Sequence, residues 1–445
     1  MEIQQLYKLF IESGTVATDS RTIRGGEIFF ALKGDNFDGN EYALKALEAG
    51  ASYAVVNERS AAATSCNERI VPVSDTLSTL QALGRYHREN TFVGGKRLTV
   101  IGLTGTNGKT TTKELIRRVL AKKYKVTATE GNLNNDIGVP LSLLKINKDT
   151  EIAVIEMGAN HPDDIAHLAS ICEPDYGLIT NVGKAHLLGF GGFEGVIKAK
   201  GQLYDYIQSN GKAVFLNADD NILCEMASAR YGMKIIRYGI NYNGVEVLPT
   251  DACHPFLKMS IPSPGGDKYV LETRLVGAYN TDNIMAAIAV GMEFGISLED
   301  AVEAISRYIP SNNRSQMLRT EYNMLIVDAY NANPTSMVAA LDNFKNIVGD
   351  NKIALLGDMR ELGQESVSEH QRILMKLKNS GLAKVFLVGS EFRKALDIVG
   401  ADDNIKWFAD SESLVVYLKN NRLNNSIILI KGSRGIMMEK TIPYL

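Results

Sequence analysis

The stretch Leu98-Thr99-Val100-Ile101-Gly102-Leu103-Thr104-Gly105-Thr106-Asn107-Gly108-Lys109-Thr110-Thr111-Thr112 decides how the rest of the chain is read. The apolar run Leu98 to Leu103 predicts a buried strand, the glycines after it predict a tight turn, and Lys113 to Lys122 reads as a helix. Strand, glycine turn and helix in that order make a phosphate cradle. Glycines let backbone N–H groups approach phosphate oxygens, and the helix N-terminus offers its positive dipole end. Lys109 can then reach the terminal phosphates, and the Thr110 hydroxyl can bind Mg²⁺. The general pattern, GxxxxGK followed by Ser or Thr, asks for glycine at position 103. This chain has Leu103 there, between Gly102 and Gly105, so the match is to a compact variant. Gly105, Thr106, Asn107, Gly108, Lys109, Thr110 and Thr111 are the expected triphosphate contacts. The guanine-selecting Asn-Lys-x-Asp is missing, because the pairs at Asn147 and Asn351 lead to Thr150 and Ala354, and ATP is expected over GTP.

On either side of this loop the pattern is α/β. Strand-like runs at Ile152 to Ile155, Tyr176 to Thr180 and Ala213 to Leu216 alternate with helical patterns at Pro162 to Ile171 and Phe193 to Tyr206, which predicts a mostly parallel sheet. Upstream, strands at Ile28 to Leu32 and Tyr53 to Val56 enclose a helix at Glu41 to Gly50. A polar passage, Arg88 to Arg97, then separates this small unit from the loop. Downstream, helices at Thr281 to Phe294 and Leu298 to Tyr308 follow a Pro- and Gly-rich Pro262 to Gly266, and the polar Pro310 to Gln316 opens a third region. There, strands at Leu325 to Val327, Ile353 to Leu356, Val385 to Val388 and Ile427 to Ile430 alternate with helices at Ser336 to Asn346 and Glu369 to Asn379, a Rossmann-like pattern. The expected domains are 1–95, 96–312 and 313–445, about what 445 residues should hold.

Composition narrows the function. With 48 Lys and Arg against 51 Asp and Glu the net charge is −3, so no basic field invites a nucleic acid. The first twenty residues carry Glu2, Lys8, Glu12 and Asp19, which leaves no secretory apolar core. No eighteen apolar residues run together, so no membrane span is expected. Cys66, Cys172, Cys224 and Cys253 are widely spaced with no CxxC pair, and a reducing cytosol is the expected setting.

Two strand ends and one helix supply further candidates. Glu156 follows the run Ile152 to Ile155, where a parallel strand opens on its ligand crevice, and is a candidate Mg²⁺ ligand; His186 follows Tyr176 to Thr180 in the same way. Lys198 and Lys200 are too close to share a helix face, so one of them points inward.

These residues together resemble the Mur ligases, ATP-dependent amide-forming enzymes of peptidoglycan precursor synthesis. The resemblance rests on Thr18-Asp19-Ser20-Arg21, Lys33 to Gly39, the loop Gly105 to Thr112, Glu156, Ala185-His186-Leu187 and Lys200. It continues through Tyr279 to Asn283, Asn313-Arg314-Ser315, Asp328 to Pro334 and Gly357 to Gly363. Gly131 to Gly138 and Asp328 to Pro334 look like the member that adds D-alanyl-D-alanine to UDP-N-acetylmuramoyl-tripeptide through an acyl phosphate. The resemblance implies a UDP-substrate domain, a central ATPase domain and a C-terminal domain bringing the dipeptide, in a cytoplasmic monomer. It implies Lys109, Glu156, His186 and Lys200 as the catalytic set. Two Mg²⁺ ions follow, one near Thr110 and one near Glu156 and His186. Lys200 aligns with the family's carbamylated lysine, in which CO₂ turns an ammonium into a carboxylate-like group. Asn283 is implied near adenine, Arg314 and Asp328 near ribose or γ-phosphate, Ser20 and Arg21 near the uridine diphosphate, and Asn134 and Asn135 on the muramoyl side. Competing expectations are a sister ligase adding a diamino acid, a folylpolyglutamate synthetase and a regulatory ATPase using the loop as a switch.

Overall fold

The computed structural model describes residues 1–250, 255–263, 265–310, 314–378, 380–400 and 402–445. Cys253, Asn313, Asn379 and parts of the stretches Pro262 to Gly266 and Pro310 to Gln316 lie outside the described residues. At the centre stands an all-parallel sheet of six strands, in the order Val126–Ala128, Ile152–Glu156, Thr99–Thr104, Tyr176–Ile179, Ala213–Asn217 and Ile235–Tyr238. Helices cover both faces, which is why these strands read as continuous apolar runs. The chain leaves Thr99–Thr104 toward one edge and returns on the other side of it, so that strand ends at a topological switch point, the usual place for a ligand crevice. Register brings the neighbouring strand ends level with the loop: Glu156 pairs with Leu103 and Ile179 with Thr104.

The loop helix spans Lys109–Leu120 and so begins four residues before the expected Lys113. Thr110, Thr111 and Thr112 are weak helix formers in isolation, but here all three are buried and Thr112 Oγ1 donates to Asn283 Oδ1 at 3.0 Å. The two expected helices occupy Thr281–Glu293 and Leu298–Ser306, and both pack beside it. A three-stranded antiparallel sheet, Glu246–Leu248, Lys258–Pro262 and Lys268–Glu272, was not anticipated. Its Met259, Ile261 and Leu271 complete the core around Ile116, Val119 and Ile284.

The first unit is a four-stranded parallel sheet, Val16–Ala17, Ile28–Phe30, Tyr53–Asn57 and Ile70–Val73, and its expected helix occupies Ala43–Glu48 after a 3₁₀ turn. A longer helix, Thr76–Glu89, capped by Asp75 accepting from the Ser78 N–H, overturns the reading of Arg88 as the start of a polar linker. Arg88 is fully buried, and its Nη2 donates to Asp175 Oδ2 at 2.8 Å and to the Glu173 carbonyl at 3.2 Å in the central unit. The same helix packs against Gly138–Leu143 so closely that a Cβ on Gly84 would lie 2.9 Å from Pro140 Cα. Gln81 donates to the Asp136 carbonyl at 3.1 Å, and His87 Nε2 lies 2.8 Å from the Ile146 carbonyl.

The third unit is a six-stranded sheet ordered Gln316–Arg319, Asn323–Asp328, Ser426–Lys431, Lys352–Gly357, Lys384–Val388 and Ile405–Phe408, parallel except for its first strand. Helices Pro334–Asn346 and Ser366–Lys378 lie where expected. Ser390–Val399 and Ser411–Asn420 complete the alternation.

Candidate active site

A cavity of about 940 Å³ opens at the strand ends of the central sheet and is walled by all three units: Leu77 and Gln81 of the first, the loop and Glu156 of the second, Asn333 and Lys431 of the third. Its floor is the glycine loop. Gly105 has φ 145°, and a Cβ there would meet Thr180 Oγ1 at 1.9 Å. Gly108 has φ 79° and would press on Asn283 Oδ1 at 2.5 Å, so both positions require glycine. Lys109 Nζ donates to the carbonyls of Gly105 (2.7 Å) and Thr106 (3.1 Å). Burial, with Arg314 nearby, holds its ammonium below the usual lysine range against the pull of Glu156. Asn107 is fixed on two sides. Its N–H donates to Asn181 Oδ1 at 3.0 Å, and its Oδ1 accepts from Asn333 Nδ2 of the third unit at 2.8 Å.

Glu156 is 1% exposed and held by three groups: Thr110 Oγ1 donates to Oε2 at 3.0 Å, Asn134 Nδ2 to Oε1 at 2.8 Å, and its own N–H to Thr129 Oγ1 at 3.0 Å. The Thr129 carbonyl accepts from the buried Lys113 Nζ, so the loop helix and the Glu156 strand are tied together behind the cleft. His186 lines the cleft with φ 52°, a left-handed conformation costly for a non-glycine residue and common at functional sites. Its Nδ1 contacts Glu361 Oε2 of the third unit, and burial holds the imidazole pKa below its ordinary value. On helix Phe193–Asn210, Lys198 is exposed and Lys200 is buried, which settles which lysine faces inward. Among the described residues no carboxylate lies within ion-pair distance of Lys200; its Nζ sits 5.8 Å from the Phe190 ring centre. Burial, then the Lys109 charge, pushes its pKa well below the usual lysine value.

Of the remaining candidates, Asn134, Asn135, Asn283, Arg314 and Asp328 all line the cleft, whereas Ser20 and Arg21 do not. Those two sit on an exposed turn of the first unit, where Arg21 folds back on Asp19 at 2.7 Å. Arg314 lies over the Tyr330 ring at 3.5 Å, and Asp328 pairs with the buried Lys431 while its Oδ1 accepts from the Ser315 N–H at 3.3 Å. Sequence reading missed Asn181, Thr129, Tyr330 and Lys431. Two of them carried a signal: Asn181 follows the strand Tyr176–Ile179 by two residues, as the candidate His186 follows the same strand further on, and Tyr330 lies within the string Asp328 to Pro334.

The donor chemistry fits a nucleoside triphosphate with Mg²⁺. The two glycine positions leave backbone N–H groups uncovered by any Cβ, and Thr110 and Glu156 offer hard oxygens in one hydrogen-bonded pair. Among the described residues no group of three His, Cys, Asp or Glu side chains forms a protein-only cage. Mg²⁺ takes one or two carboxylates and leaves the rest of its shell to phosphate and water.

Family models match the chain over residues 14–88 (Mur ligase family, catalytic domain), 103–291 (Mur ligase middle domain) and 313–434 (Mur ligase, glutamate ligase domain). The chain is 34% identical over 438 residues to the UDP-N-acetylmuramoyl-tripeptide--D-alanyl-D-alanine ligase of Bacillus subtilis (strain 168), spanning 97% of this chain and 92% of that protein. Among solved structures, crystal structure I of MurF from Acinetobacter baumannii aligns with a TM-score of 0.84 at 32% identity, over 96% of this chain and 92% of that one. The MurF ligase from Thermotoga maritima in complex with ADP aligns with a TM-score of 0.82 at 26% identity, over 97% and 96%.

Proposed function

The chain belongs to the Mur ligase family, and from that premise we propose that it joins D-alanyl-D-alanine to UDP-N-acetylmuramoyl-tripeptide at the expense of ATP, giving the UDP-muramoyl-pentapeptide precursor of peptidoglycan. The observation that carries this reading is the single cleft in which a triphosphate loop meets side chains of a first and a third unit, in a chain whose dipeptide-ligase relatives match it nearly end to end. A diamino-acid ligase, a folate ligase and a regulatory ATPase are disfavoured by those same relatives, and a switch ATPase would not need a third unit closing on its loop.

A peptide carboxylate acylates poorly. Ligation proceeds by attack of its oxygen on the γ-phosphoryl of ATP, release of ADP, and attack of the dipeptide amine on the acyl phosphate with loss of phosphate and a proton. We assign residues 1–95 to the UDP substrate, 96–312 to ATP and 313–445 to the dipeptide. In this assignment Gly105 to Thr111 cradle the phosphates, and Lys109 releases its two loop carbonyls to take up phosphate oxygens. Asn283 faces the base, Arg314 and Asp328 the ribose or γ-phosphate, Asn134 and Asn135 the muramoyl side, and Ser20 and Arg21 the uridine diphosphate. Thr110, Glu156, His186 and Lys200 would hold two Mg²⁺ ions, which when bound supply charge neutralisation on the transferring phosphoryl. Lys200 would do so as a CO₂-derived carbamate. A buried ammonium without a carboxylate partner is costly, and the neutral amine is the form that takes up CO₂. Because the reaction draws on ATP and a nucleotide-linked substrate, we assign it to the cytoplasm.

Phosphate release from ATP with UDP-N-acetylmuramoyl-tripeptide tests the reading, with D-alanyl-D-alanine compared against single amino acids and folates. Release that requires both the tripeptide and the dipeptide is expected. Release indifferent to either would sink it.

A further inference from the structure

The loop 358–363 of the third unit reaches across to the central unit. At its far point Glu361 has φ 65°, its Oε2 contacts His186 Nδ1, and its carbonyl accepts from the Leu188 N–H at 3.4 Å. A left-handed conformation is costly for a non-glycine residue and persists only where the surroundings over-determine it. The start of the loop does so. Three consecutive N–H groups are anchored there: Asp358 to the Val388 carbonyl at 2.9 Å, Met359 to His370 Nε2 at 3.0 Å, and Arg360 to Ser433 Oγ at 2.9 Å. Met359 and His370 are both fully buried, and a buried N–H left without an acceptor is costly. The Ser366 carbonyl, 2.7 Å from His370 Nδ1, can only accept, so Nδ1 carries the proton and Nε2 is a bare acceptor. Asp358 does not compete for that ring: its Oδ1 is 3.8 Å from Nε2 and accepts from the Phe392 N–H at 2.9 Å, while its Oδ2 accepts from the Glu391 N–H at 2.9 Å. Burial outweighs the pull of Asp358, Glu391 and Glu369 and holds the imidazole pKa below its ordinary value, which favours the neutral ring.

We propose that His370 is a positioning residue: by fixing the Met359 N–H it sets the Glu361 carboxylate onto His186 and so orients that imidazole at the cleft. The inference rests on the function proposed above and deepens it. A carboxylate on one ring nitrogen is the usual way a protein fixes the tautomer and orientation of a histidine whose other nitrogen is in use. Here the carboxylate comes from a different unit than the histidine. His186 is therefore oriented only while the third unit is docked, and His370 is the buried group that keeps the docking loop in shape.

The test compares the full-length wild type with His370→Leu, which removes the acceptor, and His370→Gln, whose amide oxygen can take its place. His370→Leu is expected to lower kcat roughly 10- to 100-fold with the KM values unmoved, and His370→Gln to recover most of that loss. Hydrogen–deuterium exchange of the unliganded enzyme should be faster over residues 358–363 in His370→Leu and close to wild type in His370→Gln. In a Glu361→Ala background, adding His370→Leu should cost no further activity, because the residue it positions is gone. Losses that multiply in the double variant would mean that His370 only stabilises the third unit, and would overturn the proposal. Wild-type kcat in Glu361→Ala would overturn it too, and that arm does not depend on any His370 variant folding. Either result leaves the ligase reading intact, whereas a wild type that ligates nothing would overturn both.

Discussion

With its ammonium resting on the carbonyls of Gly105 and Thr106, Lys109 leaves the loop internally satisfied before any nucleotide arrives. In the proposed site a triphosphate would exchange those two neutral acceptors for charged oxygens, and charge-assisted hydrogen bonds are the stronger kind. Lys109→Ala is therefore expected to cut turnover by several orders of magnitude, checked by steady-state phosphate release, because positioning and charge neutralisation are most of phosphoryl-transfer catalysis. For Lys200→Ala a comparable loss is expected, partly restored by short carboxylic acids that supply the missing anion; full activity without CO₂ dependence would remove the carbamate. Which of these residues the sequence disclosed follows from distance along the chain. Gly105 to Thr112 is contiguous, Glu156 sits at a strand end, and helix geometry said that one of Lys198 and Lys200 faces inward, the family resemblance naming Lys200 and the fold burying it. Asn107 and Asn333 are 226 residues apart, and Asp328 and Lys431 are 103 apart. No local pattern announces such pairs, because only the packing of separate units creates them.

Among the elements, the helix Thr76–Glu89 joins more of the molecule than its sequence suggests. Read alone, Arg88 begins a polar passage; in the fold it is buried, with its Asp175 partner supplied by a residue 87 positions away. His87 on the same helix sets a pH dependence. The Ile146 carbonyl can only accept, so Nε2 carries the proton, and Nδ1 accepts from the Tyr7 hydroxyl at 3.1 Å. Both ring nitrogens are satisfied in the neutral form, and burial lowers the folded pKa below the ordinary value of about 6.5. The unfolded chain thus binds this proton more readily. The stabilisation is present above about pH 6.5 and is lost as pH falls through the depressed folded value. Thermal unfolding from pH 7.5 down to 5 should show a steeper fall in Tm for the wild type than for His87→Gln; parallel curves would count against this role. The early start of the loop helix has a similar explanation: Thr110 to Thr112 are poor helix formers until Glu156 and Asn283 take up two of their hydroxyls.

For the molecule as a whole, the two seams between units are built differently. The first and central units meet through buried Arg88, the close contact of Gly84 on Pro140 and the His87 bond. The central and third units share a hydrophobic cluster and are also joined by polar groups: Asn107 with Asn333, the Lys184 N–H with Thr335 Oγ1 at 3.2 Å, and Lys184 Nζ with Glu369 at 2.7 Å and Glu365 at 3.2 Å. Glu369 and Glu365 hold the Lys184 ammonium above the usual lysine range. Contacts of the second kind are worth little each and weaken with salt. Lys184→Glu should enlarge the radius of gyration seen by small-angle scattering and lower kcat/KM several-fold, and Lys184→Glu with Glu369→Lys should recover part of both. An unchanged radius in the single variant would show that these ion pairs do not hold the seam. The three-unit plan was legible from alternating strands and helices, but nothing in the pattern distinguished a riveted seam from a polar one. A jointed body of this kind has one stiff limb and one free one. In the proposed assignment of substrates to units, the stiff limb would keep two reactants aligned between turnovers and leave the travelling to the arm that carries the third. A small molecule lodged between them like a doorstop would then halt the enzyme without resembling anything it binds.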